Sequence, residues 1–263
     1  MKSPFGYLCL AALLSIGAGQ LHAAPIPAGW TCVGTCGTLG ADGVVSLSPL
    51  GNPYQYVTTA GGPTGAGALP SGPLGSETNG STLSTSIFTA TAGTELNFYF
   101  NYVTSDGAGY ADYAWAALFD SSNNPVSLLF TARTLPSGTI VPGNGMPDPN
   151  ATLAPASVPI IGGGPVWSPL GSDSGRCYDA GCGYTGWINS NYIIPDAGDY
   201  YLKVGVVNWI DQLYASGLAL DGVTVDGVPI NPTSPVPEPS TFLLLGSGMA
   251  GAVSMMRRRI FNR

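Results

Sequence analysis

Histidine is almost absent from this chain, whose 263 residues include only His22. Loss of His22 with an N-terminal leader would leave no Ser-His-Asp or Cys-His catalytic arrangement and no ordinary histidine-based zinc site. Amines are also scarce, because Lys203 is the only lysine between the two ends of the chain. Lys203 lies in a strand-like stretch, which favours a surface role over that of a nucleophile. These absences predict a domain that is not an enzyme.

Positive charge is scarce as well. The chain has 8 Lys and Arg against 15 Asp and Glu, for a formal net charge of −7. If both terminal segments are removed, three cations remain against 14 carboxylates, so the remaining domain carries about −11. An acidic domain with three scattered cations repels phosphate backbones, and we expect no nucleic-acid partner.

Residues 1–24 have the order of a secretory signal peptide. Lys2 supplies the charged start, residues 8–18 form an apolar stretch, and residues 21–24 offer small side chains to signal peptidase. The apolar stretch is too short to span a bilayer comfortably. The sequence therefore predicts a signal helix, cleavage after Ala23 or Ala24, and an exported domain at residues 25–230.

The C-terminal end has a second apolar segment. Residues 242–256 are apolar apart from two serines, and Arg257, Arg258 and Arg259 follow at once. Arginines beside an apolar run stay in the cytoplasm, so the preceding domain faces away from it. As a helix the run covers about 22 Å, short of the ~30 Å hydrocarbon core. We expect a transmembrane helix at residues 241–256 that serves as a temporary anchor, after a Pro-rich extended linker at residues 231–239.

Four cysteines remain beyond the signal segment, and they are Cys32, Cys36, Cys177 and Cys182. Four cysteines allow three disulfide connectivities, and an exported chain favours disulfides over free thiols. We favour the pairs Cys32–Cys36 and Cys177–Cys182, because each closes a short loop that contains glycine. The alternative is a four-cysteine zinc site, although the two-residue spacings of zinc knuckles are missing.

Short β-rich runs between turn signals dominate the middle of the chain. They predict an all-β fold, a jelly-roll-like β-sandwich of eight to ten strands. The clearest run is residues 94–104, where alternating apolar residues place one face on a core. We expect it to form an antiparallel meander with residues 113–119 and 126–131, before a loop-rich insertion at residues 135–164. Further strands are expected at residues 44–47, 54–58, 81–89, 184–189, 199–208 and 215–225.

The extreme C-terminus resembles the PEP-CTERM sorting signal, over residues 236–263. The resemblance is carried by Pro237, Glu238 and Pro239, followed by the apolar run and the three arginines. It implies that exosortase, a membrane-embedded processing enzyme of Gram-negative bacteria, cleaves near these prolines. An inner-membrane-anchored precursor would then be released to the cell surface or the extracellular space.

The middle of the chain also resembles an uncharacterised group of such exported proteins, a resemblance that implies no activity. It is carried by residues 29–32, 99–115, 167–171 and 216–223. Residues 220–225 are similar to the last strand of jelly-roll modules, carbohydrate-binding ones among them.

Asp106 and Asp112 flank a glycine-rich loop and are the candidate metal ligands. Closely spaced carboxylates and carbonyls on such a loop can hold calcium, which prefers oxygen ligands. The alternative is a hairpin loop whose aspartates accept hydrogen bonds from turn amides. The spacing fits no EF-hand, and no other cofactor is expected.

Loop tyrosines are the candidate ligand-binding residues, and Tyr110, Tyr178 and Tyr184 are expected to be the exposed ones. Flat rings with a polar edge can stack on sugars or anchor a partner. Trp115 and Trp209 lie within strand patterns and are expected in the core. We therefore expect a binding or structural protein of the exopolysaccharide matrix of a biofilm. A carboxylate-dependent glycan-active enzyme is the alternative.

Overall fold

The computed structural model describes residues 24–70 and 75–230, which form 17 strands and one 3-10 helix. The 3-10 helix is Ser168–Asp173. In chain order the strands are β1 Thr31–Val33, β2 Thr35–Leu39, β3 Tyr54–Thr58, β4 Glu77–Ser84, β5 Phe88–Ala90, β6 Glu95–Thr104, β7 Tyr113–Asp120, β8 Pro125–Arg133, β9 Thr139–Val141, β10 Thr152–Ala154, β11 Val158–Pro159, β12 Ile161–Gly162, β13 Gly183–Tyr184, β14 Ile188–Ile193, β15 Gly198–Trp209, β16 Ser216–Val225 and β17 Val228–Pro229.

Two antiparallel sheets contain nearly all of these strands. Sheet I has the order β1-β4-β15-β7-β8, and β5 also pairs with β15. Sheet II has the order β10-β14-β6-β16-β3-β2, with β13 beside β6, β12 beside β13, and β17 beside β16. A separate pair is formed by β9 and β11. The all-β prediction is confirmed, and the two-sheet arrangement is that of a β-sandwich.

The expected terminal helices lie outside the described residues, except for Ala24 at the end of the signal segment. Within residues 24–70 and 75–230, no helix combines the length and the apolar character that crossing a bilayer requires.

The core lies between the two sheets. In β6 the alternating side chains of Leu96, Phe98, Phe100 and Tyr102 are fully buried, as the period of two predicts. The ring of Phe100 stacks on Phe130 of the facing sheet, with centroids 3.8 Å apart and planes 7° apart. Burial of this apolar surface, at roughly 25 cal/mol per Å², is the main force that holds the sheets together.

Both sheets are also covered on their outer faces. On sheet II the 3-10 helix places Trp167 over β3, where its indole N–H donates to the Tyr54 hydroxyl at 2.9 Å. On sheet I the indole N–H of Trp115 donates to the Gly67 carbonyl at 2.7 Å. Gly205 faces this indole, and a Cβ there would lie only 2.6 Å from it. These coverings explain why several strands are buried on both faces rather than on alternate residues.

The expected meander is wrong for its first strand, β6, and confirmed for the antiparallel pair β7 and β8. β6 pairs with β14 and β16 in sheet II, while β7 and β8 pair with each other in sheet I. The chain therefore crosses from one sheet to the other between β6 and β7. Hydrophobic alternation identifies which face of a strand is buried, but it carries no information about the neighbouring strand.

Three other expected strands differ in detail. Residues 44–47 form no strand, because Val45 pairs with Asp42 only in an isolated bridge. The run at 81–89 is divided between β4 and β5, and the run at 184–189 between β13 and β14. The insertion at 135–164 contains the four short strands β9 to β12.

Candidate functional site

Three loops meet at one end of the sandwich, and they comprise residues 105–112, 174–182 and 210–215. We call this region the three-loop end. The Tyr178 amide donates to the Ser105 carbonyl at 3.0 Å, and the Ser105 amide donates to Ala215 at 3.1 Å. The Ala108 amide donates to Ala180 at 2.8 Å. Main-chain hydrogen bonds thus tie the first loop to each of the other two and hold the side chains that the loops carry.

A disulfide closes the second of these loops. Cys177 and Cys182 are bonded, with their Cα atoms 5.5 Å apart, and Cys32 and Cys36 form the other disulfide at 6.2 Å. Both pairings agree with the sequence-based expectation. All four sulfur atoms are therefore engaged in disulfides, which rules out the four-cysteine zinc site.

Gly107 allows the first and second loops to touch. A Cβ at Gly107 would lie 2.6 Å from the carbonyl oxygen of Asp179, closer than real Cβ contacts allow. Any larger residue would push the disulfide loop away, so glycine is required here by the close approach of two backbones.

Three tyrosines form a connected cluster on the surface of this end, and we call it the tyrosine cluster. Tyr178 packs edge-to-face on Tyr110 at 5.2 Å and contacts Tyr214 at 5.1 Å. The Arg176 guanidinium lies over the Tyr214 ring at 5.1 Å. Tyr178 is 46% exposed, and Tyr110 and Tyr214 are half-buried. Aromatic faces and edges of this kind are typical of surfaces that stack on sugar rings.

The structure brings together two of the three predicted tyrosines and adds one that the sequence analysis missed. Tyr184 lies apart from the cluster, in β13, where it pairs with Val103. It is half-buried and packs against the set of buried apolar residues that includes Trp167. Tyr214 was missed, although it sits in a turn between two strong strand patterns, which is the signal that could have identified it.

The two tryptophans predicted for the core differ in burial. Trp115 is fully buried, whereas Trp209 is only half-buried and has Arg133 stacked over its ring at 4.7 Å.

The third loop has a strained backbone. Ile210 has φ of 77° and Tyr214 has φ of 53°, both in the left-handed region. This conformation is a genuine outlier for a β-branched residue such as isoleucine. Ile210 and Leu213 are also 54% and 62% exposed, so apolar side chains lie on the same loop as Tyr214. Strained backbone of this kind clusters at active sites, ligand clamps and switch regions.

Asp112 is fully buried beneath this surface. One carboxylate oxygen accepts the Trp209 amide at 2.8 Å, and the other accepts the Ser216 hydroxyl at 2.6 Å. Burial raises the pKa of Asp112 well above its usual range, and the charge of Asp106 adds to this effect. Asp112 therefore joins the ends of β15 and β16 to the loop before β7.

Asp106 is 1% exposed, but its carboxylate accepts fewer hydrogen bonds than that of Asp112. Its Oδ1 accepts the Gly107 amide at 2.7 Å, while its Oδ2 is buried with no hydrogen-bond partner. Burial raises the pKa of Asp106 to about 7, against the lowering effect of the Gly107 amide, and the charges of Asp211 and Asp173 contribute.

The geometry bears directly on the expected calcium site at Asp106 and Asp112. Among residues 24–70 and 75–230, no three Asp, Glu, His or Cys side chains are grouped so as to hold a metal ion. Both oxygens of Asp112 already accept hydrogen bonds, so Asp106 is the better placed ligand of the two.

A shallow groove of about 240 Å³ lies elsewhere, on the outer face of sheet I. Leu69, Phe119 and Leu128 are among its lining residues. The half-buried Lys203 lies near it, with its ammonium 5.7 Å from the Phe119 ring centroid. Burial lowers the pKa of Lys203.

The described domain is thus an antiparallel β-sandwich with an aromatic surface built by three loops at one end. Residues 235–259 match the PEP-CTERM protein-sorting motif, so the chain carries the sorting tail of an exosortase substrate. The matched residues lie beyond the described part of the chain.

No curated protein matches this chain. One similar solved structure is an arabinose-bound MgGH51 α-L-arabinofuranosidase, with 9% identity and a TM-score of 0.33. The match covers 82% of this chain but 29% of that one, so the chain spans less than a third of its length. Another is the K1 cleaved adhesin domain of Lys-gingipain from Porphyromonas gingivalis W83, with 13% identity and a TM-score of 0.25, covering 70% of this chain and 90% of that one. Neither likeness carries a functional argument.

Proposed function

We propose that this protein is a non-catalytic component of the cell surface or extracellular matrix that binds polysaccharide through the tyrosine cluster. The observation that carries the proposal is the exposed Tyr178, held between Tyr110 and Tyr214 on a disulfide-closed loop. A ring that is already fixed loses little conformational entropy when a sugar stacks on it.

The surroundings of the cluster support a saccharide ligand. Ring faces provide apolar stacking surface, while the tyrosine hydroxyls and the Arg176 guanidinium provide hydrogen-bond donors for sugar hydroxyls. The chain also passes repeatedly between the two sheets, as from β3 to β4 and from β14 to β15 to β16. This alternation supports the jelly-roll-like topology.

The burial of Asp106 and Asp112 argues against these two carboxylates as a catalytic pair. A glycosidase needs two carboxyl groups that face the scissile bond and a water molecule. Asp106 and Asp112 are 1% and 0% exposed, so neither can reach a polymer on the surface. The glycan-active enzyme would require another carboxylate pair, and turnover lost in one Asp→Asn variant with folding intact would reveal it.

The sorting tail supports the proposed route. Signal peptidase would remove the leader, the tail would hold the precursor in the inner membrane, and exosortase would then cleave near Pro237, Glu238 and Pro239. The product would reach the cell surface or the biofilm matrix as an acidic β-sandwich.

Affinity electrophoresis of the processed extracellular protein tests the binding proposal. The gels would contain neutral glucan, xylan or the exopolysaccharide from the producing culture. We expect retardation by at least one polymer and a loss of about tenfold in affinity for Tyr178→Ala. Tyr99→Ala removes a half-exposed tyrosine on the outer face of sheet II and should bind normally. Equal mobility of Tyr178→Ala and the wild type in the gel that retards the wild type would contradict the proposal.

A further inference from the structure

One buried carboxylate oxygen in this protein lacks a partner. Among the described residues, three buried side-chain polar atoms make no hydrogen bond, and only Oδ2 of Asp106 belongs to an acidic group. An unpaired ionised carboxylate is far more costly to bury than an amide, because its charge loses its hydration. Either protonation of the carboxyl group or a bound cation at the three-loop end must therefore compensate this oxygen.

Neighbouring protein groups do not supply that compensation. The carboxylates of Asp211 and Asp173 act on Asp106 with like charge, and Asp106 in turn acts on Asp112. The nearby cation Arg176 pairs with Asp173 at 3.1 Å. The excess of negative charge is therefore concentrated around the orphan oxygen.

We propose that Oδ2 of Asp106 is a ligand of a calcium ion bound beneath the tyrosine cluster, with main-chain carbonyls and water completing its coordination. The donor set is oxygen only, which suits calcium and not the softer transition metals. Calcium also accepts irregular coordination by loop carbonyls, whereas magnesium demands a near-ideal octahedron. A divalent cation would offset the buried negative charge that the protein leaves uncompensated.

The inference is independent of the identity of any polysaccharide, because it concerns the interior of the three-loop end rather than its surface. The two proposals are nevertheless coupled by position. Asp106 lies close enough to Tyr178 for its charge to contribute to the raised pKa of that tyrosine, after the larger effect of Tyr110. An ion at Asp106 would thus stabilise the loop that carries the central ring of the cluster.

Thermal unfolding of the processed protein tests the site. After chelator treatment and dialysis, millimolar calcium at pH 8 should raise the unfolding midpoint by about 5 °C, as expected for a ligand well above its Kd. Asp106→Asn should raise the calcium-free midpoint, because it removes a buried charge, and should abolish the calcium-dependent rise. Asp148→Asn alters an exposed aspartate and should keep that rise in full.

A second measurement does not depend on stability. Terbium is a luminescent substitute for calcium, and emission excited through the nearby tyrosines should appear on binding and disappear when calcium is added. Asp106→Asn should show no such emission. The proposal is overturned if calcium leaves the wild-type midpoint unchanged, or if Asp106→Asn and Asp148→Asn respond to calcium equally. If the calcium tests fail and the processed protein still binds polysaccharide in chelator, the proposed function stands and only this inference is overturned.

Discussion

Ser216 of sheet II donates its hydroxyl hydrogen to Asp112, the last residue of the loop before β7 of sheet I, over 2.6 Å. The Ser216 hydroxyl also lies 2.8 Å from the Thr104 hydroxyl, and the Tyr102 hydroxyl donates to the Asp112 carbonyl at 3.0 Å. This polar network is buried where the sheets meet the three-loop end. It orients the first and third loops at once, because Asp112 also accepts the Trp209 amide.

Loss of the Asp112 carboxylate should therefore weaken the whole domain. Asp112→Ala leaves the Ser216 hydroxyl and the Trp209 amide buried without their acceptor, and we expect a loss of about 3 kcal/mol in the free energy of unfolding. Urea denaturation followed by tryptophan fluorescence measures it. Asp148→Ala changes an exposed aspartate and should cost almost nothing. Equal midpoints for the two variants would show that the network is not stabilising.

Stability in the absence of calcium should fall as the pH rises. The pKa of Asp106 is about 7 in the folded protein against 3.8 in the unfolded chain. The folded state therefore binds the proton more tightly than the unfolded chain. The contribution of this proton to the free energy of unfolding is full below pH 3.8 and is lost as the pH rises past about 7. The ionisable groups that act on Asp106 or respond to its charge are Asp112, Asp173, Asp211 and Tyr178.

Asp106→Asn should make the free energy of unfolding depend less steeply on pH. Urea unfolding in chelator at several pH values from 4 to 8 gives the slope directly. Some slope should remain in the variant, because burial also raises the pKa of Asp112 and Asp221. If the free energy of unfolding of Asp106→Asn changes with pH as steeply as that of the wild type, Asp106 ionises with the same pKa in the folded and unfolded states.

The two disulfides offer a matched comparison. Each closes a loop of similar length, with sequence separations of 4 and 5, so loss of either should cost about 2 kcal/mol on the loop-entropy model. Only the double variant Cys177→Ser/Cys182→Ser should also lose polysaccharide binding, since that loop carries Tyr178. The double variant Cys32→Ser/Cys36→Ser serves as the control for stability. Normal polysaccharide binding by Cys177→Ser/Cys182→Ser would show that this disulfide is not required for the binding site.

The sorting tail predicts a membrane-held intermediate. Without residues 241–263 the chain should be exported with no precursor in the inner membrane, because the apolar run and its arginines are gone. Immunoblots of membrane and extracellular fractions from cells that express each form would show this. A truncated chain that still fractionates with the inner membrane would contradict the role of the tail.

Local features of the sequence were sufficient for part of this structure. The alternation from Leu96 to Tyr102 correctly predicted a strand and its buried face, because a period of two determines which side chains share a face. The cysteine pairs followed from their proximity in the chain. The sorting tail was recognisable because its proline, apolar and arginine segments act in a set order within 28 residues, independently of the fold.

Tertiary structure alone decided how these parts meet. Sheet packing placed β6 beside β14 and β16 and not beside β7, brought Tyr214 to Tyr178, and removed Tyr184 from the site. The same packing buried Asp106 and Asp112 in loops that composition suggests are exposed. Strand partners and loop contacts depend on the complementarity of surfaces far apart in the chain, and a local pattern contains no record of that complementarity.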